Sequence, residues 1–246
     1  MKAYFFILAV LLSGASWALD LGDLLKGVGD ASAKKSSAPT TNLSDQDVTR
    51  GLKDALAEGA GKAVSTLGRT DGFLLNDKVR IPLPESLQSV ESVMKALGQG
   101  KRIEELKTSL NRAAEAAVPE AKTLLVDAIK NMSVADAKAV LTGGEDAATK
   151  YFRQATGAKL HERFLPVVGK TVNRYKLTQQ YDRIAGTASQ AGLIGKEQAN
   201  MSEYVTGKAL DGLFLMIAEE EKAIRRDPLG RSSEYVRKVF GSLQKK

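Results

Sequence analysis

Residues 58–68, EGAGKAVSTLG, contain a Gly-x-Gly-Lys run of the kind that can cradle a phosphate. A phosphate-binding loop needs Gly, four residues and then Gly-Lys-Ser/Thr, because the hydroxyl binds the magnesium of the nucleotide. Here alanine follows the Gly-Lys pair, and Leu56 stands where the first glycine would be. Apolar residues recur around the run at steps of three and four, which indicates a helix. We therefore predict that Gly59 and Gly61 let another helix approach closely, and that no nucleotide binds here.

Two other features have the residue types of an active site without the expected surroundings. Glu85-Ser86 matches the Glu-Ser pair of lytic transglycosylases, but the Gly- and Gln-containing motifs of those enzymes are missing. A glutamate directly after Pro84 also suits a helix N-terminus, where it favours the helix dipole. His161 is the single histidine, and its charged neighbours are typical of a surface position. Neither feature predicts catalysis.

The acidic run Glu219-Glu220-Glu221 could suggest a metal site. Consecutive helical residues point in different directions, so these three carboxylates cannot all face one ion. Glu221 and Arg225 are four residues apart, and we interpret them as a surface ion pair. The chain has no cysteine, which excludes a thiolate nucleophile and a zinc–thiolate site. We predict no metal and no cofactor.

A first polar set is more informative because it lies on an alanine-dense helix. Asn111 and Glu115 are four residues apart, and Arg112 lies beside them. Small neighbours allow close packing, so these groups can be drawn into an interface where they must find hydrogen-bond partners. We interpret them as a structural network, with a ligand pocket as the alternative.

A second polar set follows Gly143-Gly144 and comprises Thr149, Tyr151 and Arg153. The N-terminus of a helix can receive an anion, which gives this set the same two interpretations. Asp146, at the same terminus, would compete with an anion.

The first 18 residues have the features of a secretory signal peptide. Lys2 precedes the apolar run Phe5–Leu12, and Ser16 and Ala18 are small residues at the positions that a signal peptidase recognises. We expect cleavage after Ala18 and a periplasmic protein, either free or peripheral to a membrane. The apolar run is shorter than the roughly 20 residues that span a bilayer, and no later stretch qualifies.

The chain is basic, with 36 Lys and Arg against 29 Asp and Glu and a net charge of +7. Much of the excess lies between Arg225 and Lys246, which favours attraction to anionic lipid or another acidic surface. A solvated terminal helix is the alternative. We expect no nucleic-acid binding, because no aromatic-basic stacking pattern appears. The candidate contacts with an anionic surface are Arg225, Arg226, Arg231, Arg237 and Lys238.

Helical periodicity runs through most of the remaining chain, which predicts an all-α bundle of about eight to ten helices. Residues 19–42 form a short amphipathic piece and a flexible linker, and residues 43–246 form one helical domain. Ser44 and Ser133, each followed three residues later by aspartate, mark helix starts, as does Asn200, which is followed three residues later by Glu203. A last helix is predicted from about residue 232 to 243. Pro166 is expected to interrupt a helix. Residues 68–84 are predicted to form a long ordered loop anchored by Phe73 and Leu74.

Four separated segments together resemble the bacterial family catalogued as domain of unknown function 4197, from about residue 48 to 240. They are KVRIPLPESL (78–87), NRAAEAAVPEAK (111–122), LTGGEDAATKYFR (141–153) and KALDGLFLMIAEEEKAIRRDP (208–228). The resemblance implies an exported or envelope-associated helical protein of bacteria, with no established activity. Relatives often look like lipoproteins, whereas this chain lacks the cysteine that would carry the lipid.

Three hypotheses for the function follow from these observations. The leading one is a non-enzymatic envelope module that binds an anionic or lipidic ligand or an envelope protein. The second is a carboxylate-dependent enzyme in which Glu115 is the key residue. The third is a purely structural module that assembles with other envelope proteins.

Overall fold

The computed structural model describes residues 44–174, the single positions 176, 179 and 184, and residues 201–227. These residues form seven α-helices and one 3-10 turn, and this part of the chain contains no β-strand. The all-α prediction is therefore confirmed. The expected eight to ten helices exceed the seven found in the described residues. The predicted signal peptide, the linker and the last helix, near residues 232–243, lie outside them.

From Asp45 to Arg174 the helices follow one another through short connections, except where residues 68–84 intervene after the first. We label them α1 to α7 in chain order, with the 3-10 turn Val118–Glu120 between α3 and α4. Their bounds are α1 Asp45–Leu67, α2 Glu85–Ala96, α3 Gly100–Ala117, α4 Ala121–Asn131, α5 Val134–Thr142, α6 Ala147–Arg174 and α7 Met201–Arg226.

Two helix starts match their sequence signals. At α1 the Ser44 side chain accepts from the backbone N–H of Asp47, and the Asp47 carboxylate accepts from the backbone N–H of Ser44. Ser133 and Asp136 form the same reciprocal capping box at α5. Each box satisfies two backbone donors that would otherwise lack a partner, which fixes where the helix begins. The cap predicted at Asn200 lies outside the described residues.

The core is built around α6 and α7. These two helices pack most extensively against each other; α6 also contacts α3, α4 and α5, while α1 packs against α4, α5 and α7. Helix α2 is peripheral and packs chiefly on α3. The largest fully buried side chains include Phe152, Phe164 and Phe214, from the two central helices.

The prediction that Pro166 interrupts a helix is wrong. Helix α6 runs without a break from Ala147 to Arg174, with Pro166 inside it. A proline within a helix costs about 3 kcal/mol, because it removes one hydrogen bond and crowds the preceding turn. Leu160, Phe164 and Val168 are fully buried along this part of α6. Their burial stabilises by about 1.5–3 kcal/mol each, which exceeds the cost.

The two glycines of α1 have different environments. A Cβ on Gly59 would lie 3.3 Å from Cδ1 of Ile224 and 3.4 Å from Cβ of Glu220, so α7 does approach closely there. A Cβ on Gly61 would meet nothing within 4 Å. The close-packing prediction is therefore confirmed for Gly59 and wrong for Gly61. Lys62, the lysine of the phosphate-loop-like run, is bound instead to Glu220 at 2.8 Å.

The segment 68–84, which we call the long loop, lies over α3 and α7. Phe73 is fully buried, as predicted, while Leu74 is only half-buried. Val79, Ile81 and Leu83 are buried, and the intervening Arg80 and Pro82 are exposed. This alternation is typical of extended backbone with one face on a core. Turns within the loop form their own backbone hydrogen bonds up to Arg80, and the backbone of Ile81 is then bound by a side chain rather than by a neighbouring strand.

Candidate functional site: the anchored long loop

Glu115 fixes the first half of the long loop from inside the protein. Its Oε1 accepts hydrogen bonds from the backbone N–H groups of Phe73 and Leu74, both at 3.1 Å. Its Oε2 accepts from Arg112 Nη1 at 2.6 Å. The carboxylate is buried, and the alanines around it on α3 leave room for the loop backbone to come this close. All of the hydrogen bonds found for Glu115 serve the architecture of the loop.

Arg112 carries this network to the protein surface. Its Nη2 donates to the Asp71 carboxylate at 2.6 Å while Nη1 holds Glu115. The hydrogen bond to Glu115 is the main reason that the pKa of Arg112 is raised. Asp71 has a backbone φ of 65°, in the left-handed region that non-glycine residues seldom adopt. The ion pair therefore holds the loop in a conformation that costs free energy locally.

Asn111 fixes the second half of the long loop through a two-way amide contact. Its Oδ1 accepts from the backbone N–H of Ile81 at 2.8 Å, and its Nδ2 donates to the Ile81 carbonyl at 3.0 Å. Nδ2 also donates to the Lys107 carbonyl at 2.8 Å. Asn111 thus forms hydrogen bonds with both the backbone N–H and the backbone carbonyl of Ile81, as an adjacent β-strand would. The Asn111 side chain is completely buried. We call Asn111, Arg112 and Glu115 the loop anchor.

Helix α7 holds the same loop from its other side. The Phe73 ring packs against Gly212 so closely that a Cβ there would lie 2.7 Å from the ring. The Tyr204 hydroxyl donates to the Pro82 carbonyl at 3.0 Å. Contacts from two different helices leave the buried side of the long loop little freedom to rearrange.

The second predicted set does not converge on one site. Thr149 lies at the start of α6, where its N–H and hydroxyl both donate to Glu221, at 3.0 and 2.8 Å. Tyr151 donates its hydroxyl to the Ala128 carbonyl at 3.0 Å, and burial raises its pKa. Arg153 lies over the Phe214 ring, 4.5 Å from the centroid. Thr149 and Arg153 thus contact α7 at two different places, and Tyr151 contacts α4.

The anion at the start of α6 is supplied by the protein itself. Glu221 accepts from the backbone N–H groups of Ala148 and Thr149, so its carboxylate occupies the position where a bound anion was considered. A carboxylate at a helix N-terminus is favoured by the exposed donors and by the helix dipole. The spacing of apolar residues along α7 is a sequence signal for this contact. Glu221 shares one face of α7 with Ile217 and Ile224, which are buried.

The interpretation of Glu221 and Arg225 as a surface pair is wrong in its location. The two side chains do pair, at 2.9 Å, but they are only 5% and 19% exposed. Arg225 also donates to the Val140 carbonyl at 2.8 Å, which joins α7 to α5. Arg225 is therefore used internally and is a poor contact for an anionic surface. Arg226 is exposed, while Arg231, Arg237 and Lys238 lie outside the described residues.

The remaining chemical candidates have ordinary surroundings. His161 is near the surface and lies 2.9 Å from Glu203, and Glu85 is exposed in the first turn of α2. Glu219 pairs with Lys78, so the three consecutive glutamates have three different partners. Within the described ranges, no group of three or more His, Asp or Glu side chains could hold a metal ion.

The fold and this site define the class of protein: it is a helical protein in which buried polar residues anchor a long loop. The chain belongs to the family "Protein of unknown function (DUF4197)", whose model matches residues 42–241. The match confirms the resemblance of the four sequence segments. No curated protein and no solved structure shows significant similarity to the chain. None of the described helices has the length and apolar character needed to cross a membrane.

Proposed function

We propose that this protein is a non-enzymatic binding module of the bacterial cell envelope, exported to the periplasm, and that the long loop is its contact surface for a protein partner. The observation that carries the proposal is the arrangement of the loop anchor. The buried polar groups of α3 that could do chemistry hold loop backbone instead. A carboxylate that acts as a general base or nucleophile needs an oxygen within reach of a substrate, and the two oxygens of Glu115 already accept three hydrogen bonds.

The outward side of the loop has the features of a contact surface. Leu75 is 70% exposed, the highest fraction among the large apolar side chains that the structure describes. It borders an open cleft of about 640 Å³ that Arg69, Thr70 and Lys78 also line. An apolar side chain with charged and hydroxyl groups around it can contribute both affinity and orientation to a protein interface.

The fixed backbone explains why the loop suits binding. Ordering a flexible loop on association costs free energy, and a loop that is already ordered avoids that cost. Burying Asn111 and Glu115 is expensive unless every polar group is paired. Here that pairing gives the loop one conformation, which is the arrangement expected of a recognition loop on a rigid scaffold.

Site-specific photo-crosslinking in the native host tests this proposal. A crosslinker at position 75 should join the protein to one discrete partner, while a crosslinker at position 97 should not. Leu97 is the matched control because it is also a leucine on the surface, 60% exposed, and lies away from the loop at the end of α2. Leu75→Ser should then weaken binding of the identified partner about tenfold or more, and Leu97→Ser should leave it unchanged.

Two results would overturn the proposal. One is that crosslinkers at positions 75 and 97 give the same set of adducts, or that neither position gives any. The other is a turnover activity that Glu115→Gln abolishes while the thermal stability of the protein stays unchanged, because that result would assign Glu115 to catalysis rather than to loop anchoring.

A further inference from the structure

We propose that the exposed side of α6 is a docking surface for a membrane that carries anionic lipids. Four cations, Lys159, Arg163, Lys170 and Arg174, lie on this helix at separations of four, seven and four residues. With 3.6 residues per turn, they fall within an arc of about 60° around the helix axis. At 1.5 Å per residue, the row is roughly 22 Å long. We call these four residues the cationic face.

The side chains of the cationic face are available for binding. All four are exposed, and none forms an ion pair or hydrogen bond with another residue of the described chain. The cations nearer the start of the same helix differ, because Lys150 pairs with Asp146 at 3.0 Å and Arg153 with Asp211 at 3.6 Å. Among the residues that the structure describes, no carboxylate therefore pairs with the positive charges along the later turns of α6.

The orientation of this face is fixed by the packing of the helix. Leu160, Phe164 and Val168 are fully buried, so α6 cannot rotate about its axis to hide the cations. One carboxylate, that of the exposed Glu162, lies at the flank of the row, about 60° from Lys159 around the axis. The row as a whole carries a net positive charge on a rigid support.

The chemistry of the face fits a lipid surface better than a nucleic acid. Proteins that hold single strands interleave cations with exposed aromatic rings, whereas Phe152 and Phe164 of α6 are fully buried and Tyr151 donates its hydroxyl to α4. A fluid array of headgroups can move to meet cations at any spacing. Each Lys or Arg near such a surface strengthens binding about fivefold, so four should contribute on the order of 100- to 1,000-fold.

This inference goes beyond the proposed function and does not depend on it. The cationic face and the long loop are separate in sequence and share no residue. Failure of one proposal therefore leaves the other to be tested by its own variants.

Vesicle flotation with the purified protein, as processed by its host, tests the inference. The vesicles should contain phosphatidylcholine with roughly 30% phosphatidylglycerol, or phosphatidylcholine alone. The test variant replaces Lys159, Arg163, Lys170 and Arg174 with glutamine. A control variant loses the same charge from four other exposed positions, namely Lys101, Arg102, Lys122 and Lys130. Circular dichroism should show that both variants remain folded.

We expect the wild-type protein to float with the anionic vesicles and not with phosphatidylcholine alone. Binding should weaken as salt is raised, since salt screens exposed charges. The test variant should bind about 100-fold more weakly, and the control variant within a few fold of the wild type. Equal loss in both variants would overturn the assignment to α6. Binding that survives in the test variant would do so too, and so would tighter binding of a short DNA duplex at the same face.

Discussion

At the scale of single residues, the loop anchor shows what the sequence could and could not predict. The alanine-rich surroundings of Asn111 and Glu115 predicted that both would be buried and would need partners. Their partners are backbone groups of Ile81, Phe73 and Leu74, some 30 to 42 residues away. Phe73 and Leu74 carry no charge complementary to Glu115, because the donors are peptide N–H groups that every residue except proline possesses. The residue types of the loop therefore do not indicate which of its backbone groups pair with a buried side chain.

The residue-scale prediction concerns Glu115→Gln. Glutamine can still accept from Phe73 and Leu74 through its amide oxygen, but its amide nitrogen would face Arg112, which is also a donor. We expect the free energy of unfolding to fall by roughly 2 kcal/mol, because a buried charge-assisted bond is lost and Arg112 keeps only Asp71. Urea denaturation measures this change.

Glu104→Gln removes the same charge from a side chain that is 60% exposed, and it should cost less than about 1 kcal/mol. Equal stability of the Glu115→Gln and wild-type proteins would contradict this account of the anchor.

At the scale of the helices, local signals predicted the beginnings of elements better than their continuity. The capping boxes at Ser44 and Ser133 involve residues three apart, so the sequence contains all of the information needed. Continuity through Pro166 depends on burial of Phe164 and Val168 against other helices, which are distant in sequence. The same limit explains Glu221, whose charge suggested the surface although its position on the apolar face of α7 placed it inside.

The two glycines of α1 provide the helix-scale prediction. Gly61→Ala should raise the free energy of unfolding by about 1 kcal/mol, because alanine is the better helix former and the space is open. Gly59→Ala gains the same propensity but brings Cβ to 3.3 Å from Ile224, which is buried and must shift. We expect the free energy of unfolding of Gly59→Ala to be lower than that of Gly61→Ala by at least about 1 kcal/mol. The midpoints of urea denaturation decide this, and equal gains in the two variants would mean that α1 and α7 are not tightly packed there.

At the scale of the whole molecule, counting charges along the chain gave an incomplete view of their placement. The count placed the basic excess after Arg225, yet Arg225 itself is used inside the protein to join α7 to α5. The four residues of the cationic face are spread over 16 residues of α6, and they form a row only because the helix is continuous through Pro166. Which charged residues lie together on one surface can be determined only once the helices that carry them are known.

The last prediction concerns acid, and Glu91 is the most informative group. Hydrogen bonds from Lys107 and then Lys95 hold its pKa below the ordinary value of 4.5. A carboxyl whose pKa is lower in the folded than in the unfolded protein stabilises the fold above the unfolded pKa and loses that contribution as the pH falls through the folded one. The pKa values of Asp136, Asp146 and Glu219 are lowered too, chiefly by Ser133, Lys150 and Lys78. These four groups should therefore make the free energy of unfolding fall as the pH drops below about 4.5.

The free energy of unfolding should be measured at pH 5 and at pH 3 for the wild type and for two variants. The change between the two pH values then gives the contribution of Glu91 to the acid response. Glu91→Gln cannot gain a proton in this range, so its stability should fall less between the two pH values than that of the wild type. Lys107→Met removes the main cause of the lowered pKa while leaving the carboxyl in place, and it should also reduce the difference. Both variants hold α2 against α3 less firmly at pH 5, because Glu91 and Lys107 join those two helices. An unchanged difference in both variants would show that the acid response of this protein arises elsewhere.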